Sequence, residues 1–544
     1  MSATLLILIS ILSLVTAYFT YGSFIARWLH LSNKNTTPAH TRADGVDYVP
    51  TSAPVLLGHH FASIAGASPI VGPIIAVTFG WIPAILWILI GGVFFGSVHD
   101  FTSLVASVRH QGRSIGDVIE EYIGVTGKRL FILFSFATLV LVVGVFTDIV
   151  ARTFVSIPSV ATSSALFLLL AVIFGVSVYR MKLPLLPTSV AGVVVLFACV
   201  WLGMEFPIRL GYDAWVYLLL VYIFVAAVTP VWILLQPRDY LNSFLLYAVL
   251  LGGVIGLVLT NPGIKMDGFG GLYNENLGYM FPILFVTIAC GAISGFHSLV
   301  ASGTTSKQLN RETDAKLVGY GGMLIEVFLA VLALISVMVL TRGEYEPLMK
   351  EHGPVYIFAH GIGRFLTTLG FSEHTGITFV SLAVSAFALT SLDTCTRLMR
   401  FLFQEFFESK SRPDNSLHTN RFIGTSVAVF LGGALTLSGQ FSQVWPIFGS
   451  ANQLLAALAL LAVAVWLSRK GMKNWYVVAP MVFMFAVTTT ALATLLVKNF
   501  IIQNWVLAIL ALLLLLLSVI LLYRAVAVLR KPIHDQSTKA GAAR

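Results

Sequence analysis

Residues 58–73 read GHHFASIAGASPIVGP, and the adjacent imidazoles of His59 and His60 share that stretch with three glycines and two prolines. Imidazole can hydrogen-bond a carboxylate or relay a proton near neutral pH. Proline removes a backbone donor and glycine weakens a helix, so a helix here should break and expose backbone dipoles around 65–69. A close helix pair with small residues at the contact is the alternative, but packing alone does not call for paired histidines. A second stretch, CGAISGFHSLVASGTT at 290–305, supplies Ser294, His297, Ser302, Thr304 and Thr305. Its hydroxyls and freed carbonyls can bond a carboxylate or coordinate Na⁺, or can bond their own backbone instead. We expect His59, His60, Ala65, Gly66 and Ser68 to face a bound substrate, with Ser294, His297 and Ser302 opposite.

Ion coupling is expected at Glu326, with Thr304 and Thr305 as further candidates. Glu326 lies in GYGGMLIEVFLAVLAL with no basic residue within a helical turn. A charge at bilayer depth costs about 2.5–3.5 kcal/mol on insertion scales, so this carboxylate calls for a partner or a task. Proton carriage is one such task; a protonated Glu bonded to a neighbouring helix is the structural alternative. Asp393 and Arg397, and likewise Asp148 and Arg152, are four residues apart and are expected to form ion pairs along one helix face. His99-Asp100 lies toward the inner end of its helix. His59, His60, His99 and His297 could meet on a metal, but they occupy separate segments without HxxxH spacing, so no metal site is expected. Cys199, Cys290 and Cys395 fall inside apolar segments without ligand spacing and read as small core residues. No P-loop, GxSxG, CxxC or dinucleotide fingerprint occurs, so we expect no enzyme and no cofactor, and any work must draw on an ion gradient.

The elements that carry these residues belong in a bilayer. The 544 residues are 57% hydrophobic and only 10% charged, against about 25% charged in a soluble domain. A helix needs about 20 apolar residues to cross, and apolar blocks recur often enough for about 15 crossings (14–18) in an all-α membrane protein. The first block is expected to be retained rather than cleaved, with the N-terminus outside, because Arg27, Lys34 and Arg42 follow it. Alternating sides then gathers Arg113, Lys128, Arg180, Lys182, Arg238, Lys307, Arg311, Lys410, Arg412, Arg469, Lys470 and the C-terminal tail in the cytoplasm. The net charge of +9 is thereby explained by the positive-inside bias and not by nucleic acid. A second interruption, at Thr229-Pro230 and Gln236-Pro237, should run opposite to the first, which suggests an inverted five-helix repeat of leucine-transporter type. The expected division is 1–54 as first helix and loop, 55–204 and 214–403 as the two repeats, 421–523 as further helices and 524–544 as a tail.

Longer runs carry a resemblance. DGVDYVPT (44–51), HDFTSLVASVRHQGRSIGDVIEEYIG (99–124), QPRDYLNSF (236–244), AKLVGYGGMLIE (315–326), ALTSLDTCTRLMRF (388–401) and WPIFGSANQLLAA (445–457), together with the two stretches above, resemble the carbon starvation protein A family of bacterial inner-membrane transporters. The likeness runs from about residue 44 to about 467; His99 departs from the Gln expected at its position. The resemblance implies uptake of peptides when carbon is scarce, with pyruvate as the alternative substrate. It also implies proton coupling and the amino acid–polyamine–organocation superfamily fold. Sodium is the alternative coupling ion, and a passive facilitator or a nutrient sensor are the rival classes.

Overall fold

A computed structural model describes residues 2–44, 48–230, 233–408, 415–439 and 441–529. Lys410, Arg412 and the basic residues of 530–544, used in the charge reading, lie outside the described residues. The chain is almost entirely helical, as lipid requires of a spanning backbone. We number the principal helices α1 (Ala3–Trp28), α2 (Ala53–Ile64), α3 (Ser68–Phe79), α4 (Trp81–Arg109), α5 (Ile115–Ile123), α6 (Val125–Ser156) and α7 (Pro158–Val178). There follow α8 (Leu185–Glu205), α9 (Tyr212–Val228), α10 (Leu235–Thr260), α11 (Met280–Thr287), α12 (295–308) and α13 (Glu312–Met338). The last seven are α14 (Arg342–Glu351), α15 (Pro354–Leu366), α16 (Glu373–Phe406), α17 (Arg421–Leu437), α18 (Phe441–Arg469), α19 (Trp475–Ile501) and α20 (Trp505–Leu529).

Among the described residues, eleven helices are long and apolar enough to cross a membrane, or twelve with the bent pair α2–α3 taken as one span. Two shorter apolar helices, α9 and α17, accompany them. Local chemistry sets several ends. Ser2, Ser114 and Ser372 cap α1, α5 and α16 by accepting from backbone N–H groups, and Pro158 opens α7 where a missing donor costs nothing. Outside the helices, a short hairpin pairs Tyr273 with Tyr279 and Asn274 with Gly278.

Helical structure is interrupted at two places that matter for the site. α2 stops at Ile64, Ala65 leaves the helical region, and α3 restarts at Ser68 bent by 50°. The second break, 288–294, separates α11 from α12 within the CGAISG run. The expected interruption at 229–237 turns out differently: α9 ends at Val228 and α10 starts at Leu235, so the chain parts between two helices there and not within one. Pro230 and Pro237 lie between these helices or in the first turn of α10, where a missing donor is tolerated. The two true breaks lie side by side. A Cβ on Gly72 of α3 would stand 2.5 Å from the carbonyl oxygen of Thr287, so only glycine permits this approach. Against them lie α13, which packs on α3, and α18, whose residues 444–467 are almost wholly buried.

Candidate functional site

Four buried side chains form a chain beside the breaks. α4 supplies His99 and Asp100 just after a π-helical turn at 92–96, α12 supplies His297, and α13 supplies Glu326. π turns of this kind recur at functional sites, and others occupy 301–305 and 316–321 on α12 and α13. His99 Nδ1 lies 2.7 Å from one oxygen of Asp100 and His297 Nδ1 lies 2.8 Å from the other. An ionised Asp100 thus accepts from both rings, which leaves each Nε2 as the acceptor nitrogen. His297 Nε2 then lies 3.3 Å from Glu326. All four residues are fully buried. Among the described residues, His99 Nε2, His297 Nε2 and both Glu326 oxygens make no hydrogen bond. Buried polar atoms without partners are costly, so these four atoms are the places where the cluster can take up a proton or a bound group.

The breaks are held from α18. Asn452 accepts from Phe296 N–H at 3.0 Å through Oδ1 and donates to Ser294 at 3.0 Å through Nδ2. Its neighbour Gln453 donates to Phe285 O at 2.8 Å, on the other side of the gap. Cys290 Sγ stands 3.4 Å from both Ser294 Oγ and Asn452 Nδ2. Ser68, at the start of α3, is buried with its side chain beside Cys290.

The sequence-predicted residues divide. Ala65, Gly66 and Ser68 lie at the first break, Ser294 at the end of the second, and His297 and Glu326 face each other. His60 Nδ1 meets Thr305 Oγ1 at 2.8 Å. His59 turns away to Asp239, 3.6 Å off, so the four histidines do not converge on one point. Ser302 and Thr304 donate to Ser298 O and Val300 O of their own helix, at 2.7 and 2.9 Å, so neither hydroxyl proton is directed at an opposing group. Arg152 pairs with Asp148 at 2.7 Å, and Tyr212 donates to the same carboxylate at 2.5 Å. Asp393 is a correction. It bonds Arg238 of α10 and accepts from Tyr222 of α9 at 2.7 Å, while Arg397 donates to Ala226 O and Thr229 O at 2.9 and 2.6 Å. Those carbonyls end α9, and a cation there is favoured by both the unsatisfied acceptors and the helix dipole.

Asp100, Asn452, Gln453, Arg238 and Tyr222 are not among the sequence-predicted site residues, and Arg238, expected in a cytoplasmic loop, is instead fully buried in α10. Asp100 did carry a signal, a carboxylate inside an apolar segment. Asn452 and Gln453 carried one as two adjacent amides in the otherwise apolar run 444–467.

Comparison with known proteins agrees with this architecture. The family described as Carbon starvation protein CstA matches residues 2–350 and 346–491. The peptide transporter CstA of Campylobacter jejuni is 32% identical over 90% of this chain and 79% of its own. The pyruvate/proton symporter BtsT of Escherichia coli is also 32% identical, over 90% of this chain and 81% of its own. Among solved structures, a manganese transporter of Eremococcus coleocola superposes with a TM-score of 0.52 at 13% identity, covering 90% of this chain and 99% of that one, a likeness of fold alone. This multi-pass membrane transporter belongs to the carbon starvation protein CstA family.

Proposed function

We propose that the protein is a proton-coupled importer of peptides across the bacterial inner membrane, with its N-terminus outside and its C-terminus in the cytoplasm. The observation that carries the reading is the buried line His99–Asp100–His297–Glu326 beside two broken helices. Broken helices offer free backbone N–H and C=O groups to the charged ends of a substrate. Glu326 and His297, unpaired on their facing atoms, carry the coupling proton, and Asp100 orients the imidazole. His60, Ala65, Gly66, Ser68 and Ser294 line the substrate side, with Thr305 behind His60.

The full count is fifteen crossings, with the split pair α11–α12, α9 and α17 included. The repeat is the inverted five-helix type, with its halves beginning at the breaks. Repeat one is then α2–α3, α4, α6, α9 and α10, with the hairpin α7–α8 inserted; repeat two is α11–α12, α13, α16, α17 and α18. The start of the second half moves from 214 to 280 on this reading. In support, α4 packs on α13, α6 on α16, and α9 on α17, as equivalent members of two interlocked repeats would.

Pyruvate is the second reading, favoured by the Escherichia coli relative. Uptake of labelled di- and tripeptides and of labelled pyruvate into proteoliposomes separates the cases. An inward gradient of one pH unit supplies about 1.4 kcal/mol per proton, about tenfold accumulation at one proton per substrate. Peptide should accumulate, collapse with a protonophore, and lose gradient dependence in Glu326→Gln. Accumulation of pyruvate alone overturns the substrate assignment, response to sodium alone overturns the coupling ion, and flux without accumulation makes the protein a facilitator.

A further inference from the structure

Three different ligand types meet at the second break. The ligating atoms of Cys290, His297 and Glu326 all lie within 4.8 Å of one another, and all three residues are buried. The His297 Nε2 to Glu326 Oε2 separation is 3.3 Å. With metal–nitrogen and metal–oxygen bonds of about 2.0–2.2 Å, a tetrahedral zinc site has an N···O edge of about 3.4 Å. The pair therefore already stands at the spacing an ion needs, and the thiol must close by an ångström or so. The orientation also fits. His297 Nδ1 lies 2.8 Å from Asp100; with that carboxylate ionised the ring donates Nδ1–H to it and keeps the Nε2 lone pair on the side of Glu326, and metal-bound histidines are held by a carboxylate in this way. Asn452 Nδ2 lies 3.4 Å from the sulfur as a donor, which steadies a thiolate. Nε2 and both Glu326 oxygens have no hydrogen-bond partner among the described residues.

We propose that Cys290, His297 and Glu326 bind one divalent ion of the zinc class. A sulfur–nitrogen–oxygen set selects a borderline-soft transition metal over Mg²⁺ or Ca²⁺, and three protein ligands leave a fourth position open. The inference adds to the transport reading at the same side chains, yet its test needs neither substrate nor gradient, so each can fail alone.

The test is titration of the purified full-length chain in detergent with Co²⁺ as the probe. One Co²⁺ should bind per chain, with a thiolate-to-cobalt absorption band in the near ultraviolet that Zn²⁺ removes by displacement. Cys290→Ser should abolish the band, and Cys395→Ser should keep it. Asp100→Asn should keep the band with affinity lowered about 10–100-fold, the usual effect of losing such a carboxylate. The wild-type titration decides by itself if a variant does not fold: no one-to-one complex overturns the proposal. A band that survives Cys290→Ser overturns it equally.

Discussion

Asp393 offers a sharp test of the packing, because chain spacing and folded structure give it different partners. Spacing assigns it to Arg397, one turn along α16; the folded chain places it on Arg238 of α10, with Tyr222 donating at 2.7 Å. Arg238 and Asp393 are both fully buried. Removing one member of a buried pair leaves the other charge uncompensated and costs about 3–5 kcal/mol, whereas replacing both by apolar groups of similar volume is close to neutral. Arg238 also reaches Asp239 at 3.1 Å, which softens the loss of Asp393 and points to the lower end, about 3 kcal/mol. Detergent-purified variants can be ranked by melting temperature. Asp393→Asn and Arg238→Met should each melt well below the wild type, Arg238→Met the lower because it strands Asp239 as well, and the Arg238→Met/Asp393→Leu double variant should melt above the Arg238→Met single. The same compensation should be weaker when Arg397→Met replaces Arg238→Met, since Arg397 donates to carbonyls of α9. Simple addition of the two losses at 238 and 393, or a wild-type melting temperature for Asp393→Asn, would refute this reasoning.

Other perturbations test other joints. In Gly295→Ala the new Cβ would lie 2.4 Å from the backbone N of Ala456 and the backbone O of Asn452, so monodisperse protein should be lost; Gly343→Ala, with nothing within 4 Å, should purify normally. Asn452→Ala leaves the buried Phe296 N–H without its acceptor at a cost of about 1–3 kcal/mol, measurable as a lower melting temperature and faster hydrogen exchange at that amide. Lys128 joins Asp117, Glu120 and Glu405 at 2.7, 2.8 and 3.1 Å, tying α5 and α6 to α16. Lys128→Gln should lower the melting temperature, and the gap from the wild type should narrow as salt screens the attraction.

Much of the architecture was legible because lipid leaves so few options. Apolar blocks of spanning length and the Pro-Gly run at 66–73 each carry a local physical meaning, and the bend at 65–67 falls inside the stretch that predicted it. Of the site, His297 and Glu326 stood out as ionisable groups in apolar surroundings. Their relation was not legible, since His297 meets Glu326 through a turn of tertiary packing and meets Asp100 across 197 residues. Asp393 misled for the same reason. Helical spacing shows which cation can be reached along the chain, while burial decides which one is, and Arg238 is 155 residues away.

The second break shows why proline was the wrong guide to it. Pro230 and Pro237 sit where the chain is leaving one helix and starting another, so their missing donors cost nothing. The real gap, 288–294, contains no proline, and opening a helix there frees donors and acceptors in a place without water. Its signal lies 156 to 168 residues downstream of the groups it serves. Asn452 and Gln453 are adjacent on α18, and one serves Phe296 N–H while the other serves Phe285 O. A helix can be opened at bilayer depth without proline when a neighbouring helix carries amides at the right height. Those amides fix the gap's ends, and with the ends fixed Cys290, His297 and Glu326 are held together in the space between the two breaks.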